Sequence, residues 1–542
     1  MKLPISPLQR WGRYRLHRAA LLLPLLLMGE VLAAPIDLST VPHKVAAHVK
    51  PSPKGWSDGA VFMEVFVRGY QDSDGDGIGD LRGLIQRLDY LQQLGVQGLW
   101  LMPITPSADK DHGYATTDYR GVEPQYGSLA DFDELIKQAH KRGIAVIIDY
   151  VINHSAQAHP LFQQALQGPG NPYRDWFVWQ QTAPQGWDIW GKDPWFATAH
   201  GSYFGTFGPH MPDFNMRNPA VVDYHRNSLR FWLNRGLDGF RLDAVPHMVE
   251  NDAVNWNDQP ESRNLTRDFQ TLIKSYPDRY TVCEATASPK VYADSQVCGS
   301  AFAFGLEAQV IKAARGEVYA IKFVADYFLS APPSMSTMLA NHDIFAGARV
   351  WDQLRGDEAR YKLAAATYLL QPGTPYIYYG EEIGMAGVAG LPGDEPLRAP
   401  MSWSAGGKDG FSSSTQPYRP LAPNIASHNV QAQQQDPASI LNFYKAMLKL
   451  RKQHPALARG SYAAPELQGQ VLSFQRRLGK QINLVVINYG GEAVSASVGD
   501  LPIQAKLRRA YPLGANSVRA DGQGRLTLPV LALSVNVYKV EP

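Results

Sequence analysis

Ile144-Ala145-Val146-Ile147-Ile148-Asp149-Tyr150-Val151 is a continuous apolar run interrupted by one carboxylate, and the helix-like stretch Leu129–Arg142 leads into it. A strand with one wet face would alternate, and this one does not. It reads as a strand buried on both sides, the habit of parallel sheets whose crossover helices cover both faces. Upstream, Ala60-Val61-Phe62-Met63-Glu64-Val65-Phe66-Val67 and Gly98-Leu99-Trp100-Leu101-Met102-Pro103 read as strands around a helical stretch near Leu84–Leu94. Downstream, helix Val221–Asn234 precedes a strand at Gly239–Val245, and helix Leu265–Tyr276 precedes Tyr280-Thr281-Val282-Cys283-Glu284. Ala301–Phe304, Met338–Asp343 and Pro375–Gly380 complete eight strand candidates separated by helices. That alternation predicts a (β/α)8 barrel with one large insertion after the third strand.

The insertion spans residues 154–215, where the composition shifts to Pro, Gly and aromatics, among them Trp176, Trp179, Trp187, Trp190 and Trp195. So long an irregular segment inside a domain is usually functional. Its rings could stack on sugars or form a small core, and for most of them a core is expected. After the eighth strand comes the polar stretch Gly387–Asp436, then helix Ser439–Gln453. Residues 455–542 carry short alternating runs such as Val471–Phe474 and Ile482–Ile487, which predict a separate antiparallel β-domain. The barrel is then built from residues 55–153 and 216–454.

The 542 residues are 45% hydrophobic and 19% charged, a globular composition large enough for several cores. A net charge of +2 gives no case for nucleic acid. At the N-terminus, Arg10, Arg13, Arg15 and Arg18 precede the apolar run Ala19–Met28, and Val31-Leu32-Ala33 offers small residues at a cleavage site. Residues 1–34 therefore read as an export signal rather than a membrane anchor. The run is about half the ~20 residues a spanning helix needs and contains Pro24. The expected location is the periplasm or the medium, with no stable membrane association after cleavage. Two cysteines, Cys283 and Cys298, are fifteen positions apart and read equally as a disulfide or a buried free pair.

In Gly239-Phe240-Arg241-Leu242-Asp243-Ala244-Val245, Arg241 and Asp243 share one face of a strand. A buried carboxylate needs such a partner. Read alone, the pair is structural. However, Asp243, Glu284 and Asp343 sit at the ends of three strands, and barrel active sites form at those ends. Converging carboxylates suit retaining glycosidic cleavage, in which one acid is an ionised nucleophile and another stays protonated for the leaving oxygen.

With those residues in place the chain resembles the α-amylase family, glycoside hydrolase family 13, over nearly all of its length after the leader. Asp149–His154, Gly239–Val245, Val282–Ala285 and Ala340–Asp343 resemble that family's four motif regions in order. Met211-Pro212-Asp213-Phe214-Asn215 resembles a further region at the end of the inserted domain, in the form found in the group intermediate between oligo-1,6-glucosidases and neopullulanases. The resemblance implies that Asp243 is the nucleophile, Glu284 the general acid/base and Asp343 the transition-state stabiliser. It implies that Arg241 orients Asp243, that His154 and His342 bind sugar hydroxyls, and that Tyr114 is the ring beneath the sugar.

Asp72-Ser73-Asp74-Gly75-Asp76-Gly77-Ile78-Gly79-Asp80 alternates carboxylates with glycines, a wrapping suited to Ca2+. Gly83 stands where an EF-hand needs Glu, and a strand precedes the loop, so an EF-hand is disfavoured. The loop resembles the calcium loop after the first strand in amylase subfamilies, with Asp72, Asp74, Asp76 and Asp80 as ligands. The same resemblance implies a second site at Asn153, Asp213 and His247, although Pro246 stands where the family usually has Lys.

The sequence thus predicts an exported, retaining hydrolase of α-1,4 bonds in starch-type glucans and maltooligosaccharides, that is, an α-amylase. An exo-acting α-glucosidase or a transglycosylating relative such as trehalose synthase is the alternative. A non-catalytic amylase-like binding protein is remote, because all three carboxylates are present.

Overall fold

A computed structural model describes residues 36–44, 55–406, 410–514 and 517–541. Residues 1–34, read above as an export signal, lie outside them. The barrel opens with β1 (Phe62–Val65), β2 (Gly98–Leu101) and β3 (Ala145–Tyr150). The insertion supplies β4 (Trp179–Gln180), β5 (Trp195–Thr198) and β6 (Gly201–Phe204). The barrel resumes with β7 (Gly239–Leu242), β8 (Tyr280–Cys283), β9 (Ala301–Phe302), β10 (Met335–Thr337) and β11 (Thr374–Tyr378). The parallel order β1-β2-β3-β7-β8-β9-β10-β11 closes back on β1.

Every residue of β3 is buried, as its unbroken apolar run required. Side chains alternate between two cores. Phe62, Trp100, Ile147, Val282, Phe302 and Tyr376 fill the barrel, with Phe62 and Tyr376 stacked at 4.8 Å. Their neighbours face a shell that includes α1 (Leu81–Leu94), α2 (Leu129–Lys141), α3 (Pro219–Asn234), α4 (Pro260–Lys274) and α5 (Glu358–Leu370). Local chemistry sets the helix starts. Ser128 and Asp131 form a capping box on α2, and Asn218 caps α3 ahead of Pro219. At Gly239 a Cβ would lie 1.8 Å from the Tyr280 carbonyl oxygen, so only glycine lets β7 approach β8.

The seventh strand differs from expectation. Met338–Asp343 is not a strand but the loop that follows β10. Thr337 pairs with Pro375, which has no amide hydrogen to extend the ladder. Asn341, His342 and Asp343 are thereby released into the mouth. The two cysteines form a disulfide, with Cα atoms 6.2 Å apart.

In the insertion, β4, β6 and β5 form an antiparallel sheet, and Trp195 and Phe204 pack at its core. After α6 (Ile440–Gln453) come β12 (Ser461–Gln468), β13 (Val471–Leu478), β14 (Gln481–Asn488), β15 (Val494–Val498), β16 (Lys506–Tyr511), β17 (Ser517–Arg519), β18 (Leu526–Val530) and β19 (Ser534–Glu541). They form an antiparallel sheet β12-β13-β14-β19-β16-β17 with β15-β18 packed across Leu484, Val486, Leu507 and Val540. Arg476 on β13 donates to Leu370 O at 2.8 Å, and Arg451 on α6 donates to Leu369 O at 2.6 Å. Both guanidiniums cap the carbonyl end of α5, where the helix dipole favours cations. Arg476, which belongs to the β-domain, thereby fixes that domain against the barrel.

Candidate active site

The strand ends bring Asp243, Glu284 and Asp343 to one cavity of about 690 Å³, lined also by Tyr114, His154, Ala244, His247 and Arg398. Arg241 is its electrostatic hub. Its Nη1 lies 2.8 Å from Asp149 Oδ1 and also contacts Asp243 Oδ1, and its Nη2 lies 3.0 Å from Glu284 Oε2. Burial holds the Asp243 carboxyl well above the usual range; Arg241 opposes this, while Glu284, close enough to hydrogen-bond it, and Asp149 add to it. The Ala244 amide also donates to Glu284 Oε2 at 3.0 Å. With Oε2 taking two donors, Oε1 is the oxygen free to carry a proton to a ligand.

Asp343 sits in the opposite setting. Tyr114 Oη donates to Asp149 Oδ2 at 2.8 Å, so its lone pair accepts from His342 Nε2 at 2.7 Å. The other ring nitrogen of His342 meets Glu64 Oε1 at 2.6 Å. Both ring nitrogens thus face oxygen atoms, a setting that favours the imidazolium. Burial alone would lower its pKa, but Asp343 and Glu64 outweigh burial and push it up to about 10. Burial likewise raises Asp343, but His342, 3.2 Å away, together with Arg398 and Arg241 holds it well below the usual carboxylate range. Asp343 is thus kept ionised, whereas Asp243, whose burial favours the neutral form, depends on its pairing with Arg241 to ionise for attack.

Tyr114 stacks on His342 at 5.4 Å, with an edge open to the cavity. His154 is neutral, lowered to about 3 by burial, and its buried Nε2 has no partner. An orphaned nitrogen on a cavity wall suits a ligand hydroxyl.

Several residues around the mouth were not anticipated. Glu64 is a lone acid in an apolar strand, a signal that was available. Arg398 is only 2% exposed and reaches Asp111 at 2.7 Å, Asp343 at 3.2 Å and Asp394 at 3.4 Å. Arg419 adds a 2.8 Å contact to Asp111. Across the mouth, Trp190 is 62% exposed at the tip of the insertion, against Phe207, His247 and Trp256.

Among the described residues, one group of three potential metal-ligating side chains has ligand atoms within 4.8 Å of one another: Asp72, Asp74 and Asp80. Asp76 is outside that group, and its Oδ1 accepts from the Ile78 amide at 2.7 Å. Asn153 Nδ2 donates to Asp213 Oδ2 at 3.1 Å, and Thr206 donates to both Asp213 oxygens. Burial pushes Asp213 up to about 7. His247 instead stacks on Trp256 at 5.5 Å.

A family model for the alpha-amylase catalytic domain matches residues 64–460. A trehalose synthase/amylase of Mycobacterium tuberculosis is 34% identical over 496 residues, covering 80% of this chain and 81% of that protein. Alpha-amylase 3 of Dictyoglomus thermophilum is 34% identical over 449 residues, covering 80% and 85%. The crystal structure of an alpha-amylase from H. orenii superimposes with a TM-score of 0.78 at 31% identity, covering 89% of this chain and all of that one. A barrel closed around these carboxylates, matched over this length, makes the chain a glycosidase of the alpha-amylase family, glycoside hydrolase family 13.

Proposed function

We propose that the protein removes single glucosyl units, with retention, from the non-reducing ends of α-1,4-linked maltooligosaccharides, and passes them to water or to an acceptor sugar. One observation carries this reading: the ion-pair wall formed by Arg398, Asp111, Asp343, Asp394 and Arg419. Glu284 donates to the leaving oxygen, so the leaving sugar lies on the Glu284 side, towards Trp190, Asn257 and Thr286. The wall stands on the Asp343 side, where an internal chain would continue. Displacing buried, paired charges to let a chain through costs several kcal/mol, on the order of 3–5 for a broken buried pair.

In the first half-reaction Asp243 attacks the anomeric carbon while Glu284 Oε1 protonates the departing sugar. In the second, Glu284 takes a proton from water or an acceptor hydroxyl, which displaces Asp243. The relatives include proteins named trehalose synthase and alpha-amylase, so hydrolysis, transfer and internal cleavage are separate outcomes to test. A time course on maltoheptaose should give glucose as the first product, as the α-anomer. Early maltose and maltotriose would instead support internal cleavage.

The Asp72–Asp80 loop fits Ca2+. Asp72, Asp74 and Asp80 pair with no side-chain cation within 4 Å among the described residues, and hard oxygen ligands suit that ion. The Asn153–Asp213 pair fits less well, because it offers one carboxylate against three and His247 stacks on Trp256.

A further inference from the structure

Glu284 stands one residue beyond β8, and the two flanks of that strand are held unequally. Towards β7, four consecutive partners run from Gly239↔Tyr280 to Leu242↔Cys283, and the Glu284 amide itself donates to Leu242 O at 3.0 Å. Towards β9 the strand has a single partner, Cys283↔Ala301. β9 in turn is two residues long. In its strand ladder the barrel is therefore shortest on the β9 side, next to the residue that must deliver a proton. The seam there is held besides by the Cys283 amide on Ser300 O at 3.0 Å, the Tyr280 hydroxyl on Ser300 Oγ at 3.1 Å and the Thr281 hydroxyl on Cys298 O.

The disulfide crosses that seam. Val282 points into the barrel core, Cys283 points outward, and Glu284 returns to the mouth. Cys298 precedes β9 by three residues, and its amide is anchored to Tyr292 O at 3.1 Å. Both cysteines are fully buried. We propose that the Cys283–Cys298 bond is a positioning element for the proton donor, clamping the end of β8 across this seam so that Glu284 stays aimed at the leaving-group oxygen. It rests on the role proposed above for Glu284. Misplacing a catalytic group by ~1 Å can cost ~10²-fold, and general-acid assistance is worth ~10²–10⁴-fold.

A bond that only stabilised the fold would affect all substrates alike. A loosened acid would not. Maltose leaves as a sugar hydroxyl and needs the proton, whereas p-nitrophenyl α-glucoside leaves as a stable phenolate and hardly does. The double variant Cys283→Ala, Cys298→Ala should lose at least ~10-fold more kcat/KM, which reports the first half-reaction alone, on maltose than on the nitrophenyl glucoside. Should that variant fold poorly, Cys283→Val with Cys298→Ala, which refills the buried space without a bond, should show the same loss of the ratio. Equal losses on both substrates, or none, would overturn the proposal. Glu284→Gln calibrates the ratio. If it too leaves the ratio unchanged, the fault lies with the role given to Glu284, and the clamp loses its purpose with it.

Discussion

Arg398 Nη1 lies 2.7 Å from Asp111 Oδ2, a contact between residues 287 positions apart that joins the loop after β11 to the loop after β2. It closes one side of the mouth beside Asp343. Asp111→Ala should open that side while leaving Arg398 its contacts with Asp343 and Asp394. The ratio of kcat/KM for maltoheptaose over maltose should rise ~10-fold or more, the ~1.5–3 kcal/mol of one charged hydrogen bond, and longer early products should appear on chromatography. An unchanged product pattern would mean that the ion-pair wall does not set the length of the site.

Asp243→Asn removes the nucleophile but not the packing. Turnover should fall by more than ~10³-fold, because an amide cannot form the glycosyl ester. Burial already penalises the charged form of Asp243, so the neutral variant should melt no lower than the wild type. Substantial residual turnover with a normal fold would move the nucleophile elsewhere.

Much of this was legible in the sequence, for identifiable reasons. The unbroken run at Ile144–Val151 could only be a strand covered on both faces, and the acids at three strand ends had to meet once the barrel closed. Met338–Asp343 misled because its apolar start resembles a strand, while the residue that ends the ladder, Pro375, lies on the neighbouring strand. Arg398 and Asp111 carried no local signal, since each sits in a polar loop and only closure of the barrel pairs them. Trp190 and Trp195 read alike in sequence, yet Trp190 is 62% exposed beside the mouth and Trp195 is buried. What separates them is tertiary packing.

Asp72 accepts from the amides of Asp74, Gly75 and Gly77 at 2.7–3.0 Å, and its own amide donates to Phe411 O. The loop thus ties the barrel's first strand to the segment after its last. Ca2+ held by Asp72, Asp74 and Asp80 would stabilise the folded state by mass action, ~2.7 kcal/mol at 100 times its Kd. Chelation should lower the melting temperature, and added Ca2+ should restore it. Calorimetry with metal analysis checks this; an unchanged curve on metal-free protein would refute a stabilising ion.

The last prediction concerns two buried acids far from the chemistry. Glu381 Oε1 accepts from Tyr368 at 2.7 Å and Tyr444 at 2.8 Å, and Glu382 Oε1 accepts from Tyr90 at 2.8 Å. The second oxygen of each has no partner. Burial pushes Glu381 up to about 8, against the tyrosine hydrogen bonds, and Glu382 up to about 7. An acid whose folded pKa is raised binds its proton more tightly in the folded state than in the unfolded chain. Stability is therefore greatest below the unfolded value near 4.5 and is lost as pH climbs through 7 to 8. Glu381→Gln keeps an oxygen for both tyrosines and cannot ionise. Denaturant unfolding at pH 5 and pH 8.5 should show the variant gaining on the wild type by on the order of 2–4 kcal/mol between the two conditions. A difference independent of pH would mean that Glu381 titrates normally, with water reaching its free oxygen.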